Sequence, residues 1–291
     1  MSIRPDWLTF RRFAAFTTGL TLSLITLGVY TAATGSGLAC NAEWPLCSGQ
    51  LVPALTINPD FIEWFHRFVA MIAGFLIIGT AAWSWRGGGG KNAKKAATLA
   101  VLLLPLQISI GAVTVTVSGL IPWGYSVPTH AAHLLVALTI FTLLLLTTLE
   151  AYRNHHRRPP GKRAQLALAV TFVGLAMSLP FSRATPILVY DAAGQSWFVT
   201  GSLIAYVGLI ATIVWSWNTD RVVSTLASVG VTALFVTMLF GRDIVAYTGI
   251  VQLVNLILIG IIAVSVVAGL WRTTGGITTD SSGGVTVSRS D

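Results

Sequence analysis

Eight stretches of this chain are apolar for long enough to cross a lipid bilayer, and nothing else limits its fold so tightly. They fall at approximately 10–33, 60–85, 96–117, 129–150, 164–182, 196–217, 222–241 and 244–270. A span needs about 20 apolar residues. Inside hydrocarbon every backbone polar group must be satisfied within the segment, so runs of this length are read as helices. Charged residues are only 10% of the chain and mean hydropathy is +0.76, against about 25% charged in soluble domains. The first run follows basic residues, as a secretory signal does, but it exceeds the roughly 7–15 residues of a signal's apolar core. It is therefore counted as a span. The expectation is an all-α membrane protein, multi-pass in the cell (plasma) membrane.

A net charge of +8 invites a nucleic-acid reading, and its distribution argues against one. With the N-terminus placed in the cytoplasm, 15 of the 18 Lys and Arg fall on the inner side. Only Arg67, Arg183 and Arg242 lie outside. This is the positive-inside bias, and anionic inner-leaflet lipid is sufficient partner for it. Both termini are then cytoplasmic, and no nucleic-acid partner is implied.

The basic loop 151–163 separates two groups of four spans. Trp83-Ser84-Trp85 recurs as Trp215-Ser216-Trp217, and Trp64-Phe65 recurs as Trp197-Phe198. Internal duplication is common in multi-helix membrane folds, so the arrangement expected is two pseudo-repeated four-helix bundles. The division follows: an N-terminal bundle over 1–150 with the functional site, a linker at 151–163, a C-terminal bundle over 164–272, and a disordered Gly/Ser/Thr tail over 273–291.

Chemistry concentrates in the loop and helix start between Gly35 and Arg67. Cys40 and Cys47 enclose Asn-Ala-Glu-Trp-Pro-Leu. In an oxidising compartment such a pair can be a structural staple, a redox relay, or two free thiols. A zinc site wants about four ligands, and there is no other cysteine. Asn58-Pro59-Asp60 reads as a helix start. Glu63 and His66, three apart, then share a helix face. Glu63 is open to three readings: a functional acid, a favourable charge near a helix N-terminus, or an i, i+4 partner of Arg67.

Five histidines are present. His155 and His156 sit in the basic inner loop and read as solvated charge. His66, His130 and His133 lie near the outer ends of spans two and four, which run parallel. His66 is six residues past Asp60, and His133 is four past Thr129, a residue that could cap its helix. At 1.5 Å per residue the two rings would differ in depth by about 3 Å. Two imidazoles at one level on facing helices can clamp a haem iron from both sides. His130, one turn nearer the surface, is the alternative ligand or a polar neighbour of the ring. Arg67 could pair with a propionate. Gln107 and Gly111, four apart on span three, share a face with no role assigned.

Four segments together, TGSGLACNAEWPLC, EWFHR, QISIGAVTV and HAAHLLVAL, resemble the haem A synthase family of membrane enzymes over roughly residues 20–150. The resemblance implies conversion of haem O to haem A, by oxidation of a haem methyl to a formyl group through successive hydroxylations, for terminal oxidase biogenesis. It implies eight helices in two similar bundles, with His66 and His133 on the iron of the substrate haem. It also implies a Cys40–Cys47 disulfide and a catalytic Glu63. Haem O synthase and an electron acceptor are implied partners, and self-association into a homo-oligomer is admitted.

The second half departs from that pattern. Members with two complete bundles hold a haem b there on a second histidine pair. In this chain, Val199 aligns with His66 and Asn255 with His133, and no histidine follows His156. One haem site is therefore expected. A non-enzymatic b-type cytochrome and a haem-binding oxidase assembly factor are the competing functions.

Overall fold

A computed structural model of the protein describes residues 7–41, 43–118, 126–153, 158–242 and 245–279. Eight long helices carry the described chain: α1 (Phe10–Ala33), α2 (Pro59–Trp83), α3 (Lys91–Ser118), α4 (Val127–Tyr152), α5 (Pro160–Ser178), α6 (Ala192–Ser216), α7 (Arg221–Phe240) and α8 (Gly249–Thr279). Each is long and apolar enough to cross a membrane. Among the described residues no β-strand occurs beyond an isolated bridge between Cys47 and Gln50.

Local chemistry accounts for several helix starts. Asn58 accepts a hydrogen bond from Phe61 N–H at 2.8 Å, with Pro59 opening α2 and Asp60 in its first turn. Asp191 and Asp220 cap α6 and α7 in the same way. Each cap satisfies a backbone N–H that has no partner within the helix.

Several boundaries differ from the sequence expectation; α5 and α6 each begin four residues early, at Pro160 and Ala192, and α8 five residues late, at Gly249. α3 begins at Lys91 rather than near 96, after a π-turn at Ser84–Gly88. Lysine is a good helix former, and its long stem lets the charge reach water from a helix end. α4 begins at Val127 with no side-chain cap, and Thr129 lies inside its first turn, donating to the Ser126 carbonyl at 3.1 Å. α8 runs on to Thr279, past the position where the disordered tail was expected to begin. The rest of that tail lies outside the described residues, as do His155, His156 and most of the turn at 122–128.

The helices pack as neighbours in sequence. α1 meets α2, α2 meets α3, α3 meets α4, and α4 returns to α1. This leaves α2 and α4 on a diagonal. The run α5 to α8 closes likewise, with α5 against α8, and α6 lies against α1. Where the two groups meet, Ile25, Val29, Leu134, Leu138 and Phe141 share one apolar cluster with Phe198, Val199 and Leu203. Hydroxyl pairs cross the same boundary: Thr26 with Thr200 at 3.0 Å, and Thr142 with Tyr206 at 2.7 Å.

The closest helix contact is between α5 and α6. A Cβ on Gly208 would lie 2.4 Å from the Ala167 carbonyl oxygen, and one on Gly174 would lie 2.4 Å from Ala205 N. Small residues permit such backbone approach where the lipid offers no hydrophobic drive to bring helices together. Gly208→Leu should therefore destabilise the protein by at least about 1–3 kcal/mol, the usual range for overpacking. Thermal unfolding in detergent measures this. Gly260→Ala, with nothing within 4 Å of the new methyl, should leave the midpoint near wild type.

Candidate functional site

Cys40 and Cys47 are joined in a disulfide, and both are buried. The ring they close is tied to α2. Their sulfurs lie 3.8 and 3.5 Å from the Asp60 carbonyl oxygen, and Trp64 Nε1 donates to the Leu51 carbonyl at 2.9 Å. The loop also holds itself: the Gly49 N–H donates to Glu43 Oε2 at 2.8 Å.

Glu63 joins loop to helix. It is 3% exposed. Its Oε2 accepts the Cys40 backbone N–H at 2.7 Å, and its Oε1 pairs with the Arg67 guanidinium one turn on. A second Arg67 nitrogen donates to the Glu43 carbonyl, back in the disulfide ring. A buried charge is tolerated only when paired and hydrogen-bonded, and here both carboxylate oxygens have partners. Of the three readings open from sequence, the ion pair with Arg67 is formed. Arg67 is thereby engaged by Glu63 and Glu43.

The histidines of α2 and α4 fall at similar positions along their helices. His66 is seven residues past the start of α2 and His133 is six past the start of α4. Equal helix starts would put them about 1.5 Å apart in depth, closer than the sequence suggested because α4 begins two residues early and α2 one. They are near enough to interact electrostatically. Each ring rests on a glycine of a neighbouring helix: a Cβ on Gly28 of α1 would lie 3.0 Å from His66 Cε1, and one on Gly111 of α3 would lie 3.0 Å from His133 Cε1. Gln107 Nε2 is 3.2 Å from His133 Nε2. The Gln107–Gly111 pair, singled out by spacing alone, is thus the seat of His133.

Both imidazoles keep a buried Nδ1 with no hydrogen-bond partner. Orphaned buried nitrogens of this kind are uncommon and call for an explanation. His130 differs, because its Nδ1 is 2.9 Å from the Ser126 carbonyl of its own helix. Among the described residues no cluster of three or more His, Cys, Asp or Glu is arranged to hold a bare metal ion. A metal whose other ligands come from its own macrocycle needs only one or two axial protein ligands, which His66 and His133 fit.

One residue escaped the sequence reading. Arg242, after α7, is only 7% exposed, and its charge acts on both His130 and His133. It had been counted only as an outer cation; the approach of the α7–α8 turn to α4 leaves no signal in the sequence. In the second half, the positions aligned with His66 and His133 are packed into the interior. Val199 sits in the main apolar cluster, while Asn255 is fully buried with its amide donating to the Tyr247 hydroxyl at 3.2 Å.

The fold is thus that of a polytopic helical membrane protein, with all its membrane-level histidines in one half. Comparison with known proteins narrows the class. Residues 57–180 match the COX15-CtaA family model, described as cytochrome oxidase assembly protein. The chain is 37% identical over 126 residues to a heme A synthase of Bacillus licheniformis, covering 43% of this chain and 39% of the relative. It is 36% identical over 138 residues to a heme A synthase of Geobacillus kaustophilus, covering 47% and 42%. A protoheme IX farnesyltransferase of Halobacterium salinarum is 36% identical over 132 residues, covering 44% of this chain and 28% of that protein. These alignments span less than half the length of the curated relatives.

The disulfide has a direct check. Alkylation of the denatured, unreduced protein should add no label, and alkylation after reduction should add two, read by intact mass.

Proposed function

We propose that this chain is a haem A synthase-type oxidoreductase that converts the methyl of haem O to a formyl group, in a bacterial plasma membrane. The observation that carries the reading is the pair of imidazoles, His66 and His133. They fall at similar positions along two diagonal helices, each seated on a glycine and each with an orphaned buried nitrogen. The heme A synthase relatives support it. We place the site in an N-terminal bundle over 1–150. The basic linker at 151–163 then leads to a related C-terminal bundle over 164–272, with both termini cytoplasmic.

In this reading haem is the substrate, and its iron supplies the redox chemistry. His66 and His133 hold the iron. His130, already bonded to its own helix, stands beside the ring. Arg67, already paired with Glu63 and bonded to the Glu43 carbonyl, is the cation we assign to a propionate, since guanidinium suits carboxylates. Glu63 is the proton acceptor at the reacting methyl, its carboxylate oriented by Arg67 and the Cys40 N–H. The electron acceptor is a separate partner. The match to a protoheme IX farnesyltransferase favours a supplying partner that attaches the farnesyl chain.

A b-type cytochrome or a haem-carrying assembly factor would use the same imidazoles, but it gives Glu63 no chemical task beyond clamping the disulfide ring to α2. Co-expression with a source of haem O separates these functions. Mass analysis of extracted haem should find haem A; unmodified haem alone would eliminate the enzyme. Glu63→Ala should lower haem A yield by about 10²–10⁴-fold, the range for lost general acid–base catalysis, while haem stays bound. His66→Ala and His133→Ala should each lose haem by pyridine haemochrome assay, whereas His130→Ala keeps it.

A further inference from the structure

At the cation-rich end of the molecule a groove of about 340 Å³ lies between α5 and α8. Its lining is ordered by chemistry. Arg158 and Lys162 stand with Gln165 at the polar part, and Leu166, Ala169 and Leu270 form the apolar part. Lys162, Gln165, Leu166 and Ala169 recur at the spacing of one helix face, so the sequence of α5 runs from charge to amide to hydrocarbon down that face. Beside the groove the two helices meet closely: a Cβ on Gly269 of α8 would lie 3.1 Å from Leu168 of α5.

Among the described residues the charge in the groove is uncompensated. Among the described residues no carboxylate lines it, and none pairs with Arg158 or Lys162. The contrast lies close by: Arg272 on α8, at the same end, is taken up by Asp220 at 2.7 Å. The Arg158 carbonyl accepts the Arg163 Nε–H at 2.6 Å. An occupant must therefore bring an anion at one end and apolar carbon at the other, at the depth where a span leaves the hydrocarbon.

We propose that this groove binds one anionic phospholipid. Its head phosphate sits on Arg158 and Lys162, the Gln165 amide donates to an oxygen of the head or glycerol region, and an acyl chain lies along Leu166, Ala169 and Leu270. Basic pockets between membrane helices at the cytoplasmic side are suited to such headgroups. The lipid bridges α5 and α8, closing the ring of the second helix group where Leu168 and Gly269 already touch. The proposal does not depend on the haem reading.

Native mass spectrometry of the full chain in detergent tests it, using phosphatidylglycerol and phosphatidylcholine with identical acyl chains. The wild type should retain phosphatidylglycerol roughly thirtyfold more strongly, from two cations at about 1 kcal/mol each. Arg158→Gln with Lys162→Gln should abolish the preference, while Lys91→Gln with Lys95→Gln, at the same end but off the groove, should keep it. Inorganic phosphate should not displace the lipid. Equal retention of both lipids, unchanged selectivity in the Arg158/Lys162 variant, or displacement by phosphate alone would each overturn the proposal. Both substituted side chains are exposed, so the variant is expected to fold, and an unchanged thermal midpoint verifies that.

Discussion

A carboxylate buried near the end of an apolar helix cannot stand alone, and the architecture of the first four helices follows from how Glu63 is satisfied. One oxygen takes the Cys40 N–H and the other takes Arg67, while Arg67 reaches on to Glu43. Removing one member of such a buried pair typically costs several kcal/mol, because the other is left uncompensated. The linkage therefore does more than neutralise a charge. It clamps the disulfide ring onto the first turns of α2, one turn from His66. The disulfide shortens the loop, and the ion pair decides where the shortened loop sits.

The second half shows what the same type of helix packing becomes without that chemistry. Phe198 and Met238 are almost wholly buried beside Leu203, Leu234 and Ile262, and glycines let α5 and α6 approach to backbone contact. The interior is filled with hydrocarbon where the first half presents imidazoles. A cavity of about 30 Å³ inside it, lined in part by Ser178, Ser202 and Thr237, is far smaller than the few hundred Å³ or more of a ligand pocket. The second half still bears on the first, through the apolar cluster shared by α1, α4 and α6 and through the charge of Arg242 beside the α4 histidines.

Much of this was legible from residues alone, for reasons that differ by element. The eight spans were readable because hydrocarbon punishes polar backbone and polar side chains without regard to neighbours. The start of α2 was readable because Asn58-Pro59-Asp60 is a local signal, complete within one turn. The start of α4 was not, since Thr129 resembles a cap but lies inside a helix that Pro128 had already opened. The similar positions of His66 and His133 along α2 and α4 were readable because the rise per residue is constant in a helix. Gln107 and Gly111 were visible as a pair, yet their meaning depended on a ring carried by another helix.

Sequence by itself determined the class of fold, the number of spans, the sharing of one helix face by Glu63 and His66, and the absence of any histidine from the second half. Each of these depends on composition or on short-range periodicity along a single helix. Tertiary structure decided which of Glu63's readings was realised, that Gly28 and Gly111 are the seats of the imidazoles, and that Arg242 reaches across to α4. Those outcomes depend on which helices become neighbours, and adjacency between distant segments is set by packing that no local pattern encodes.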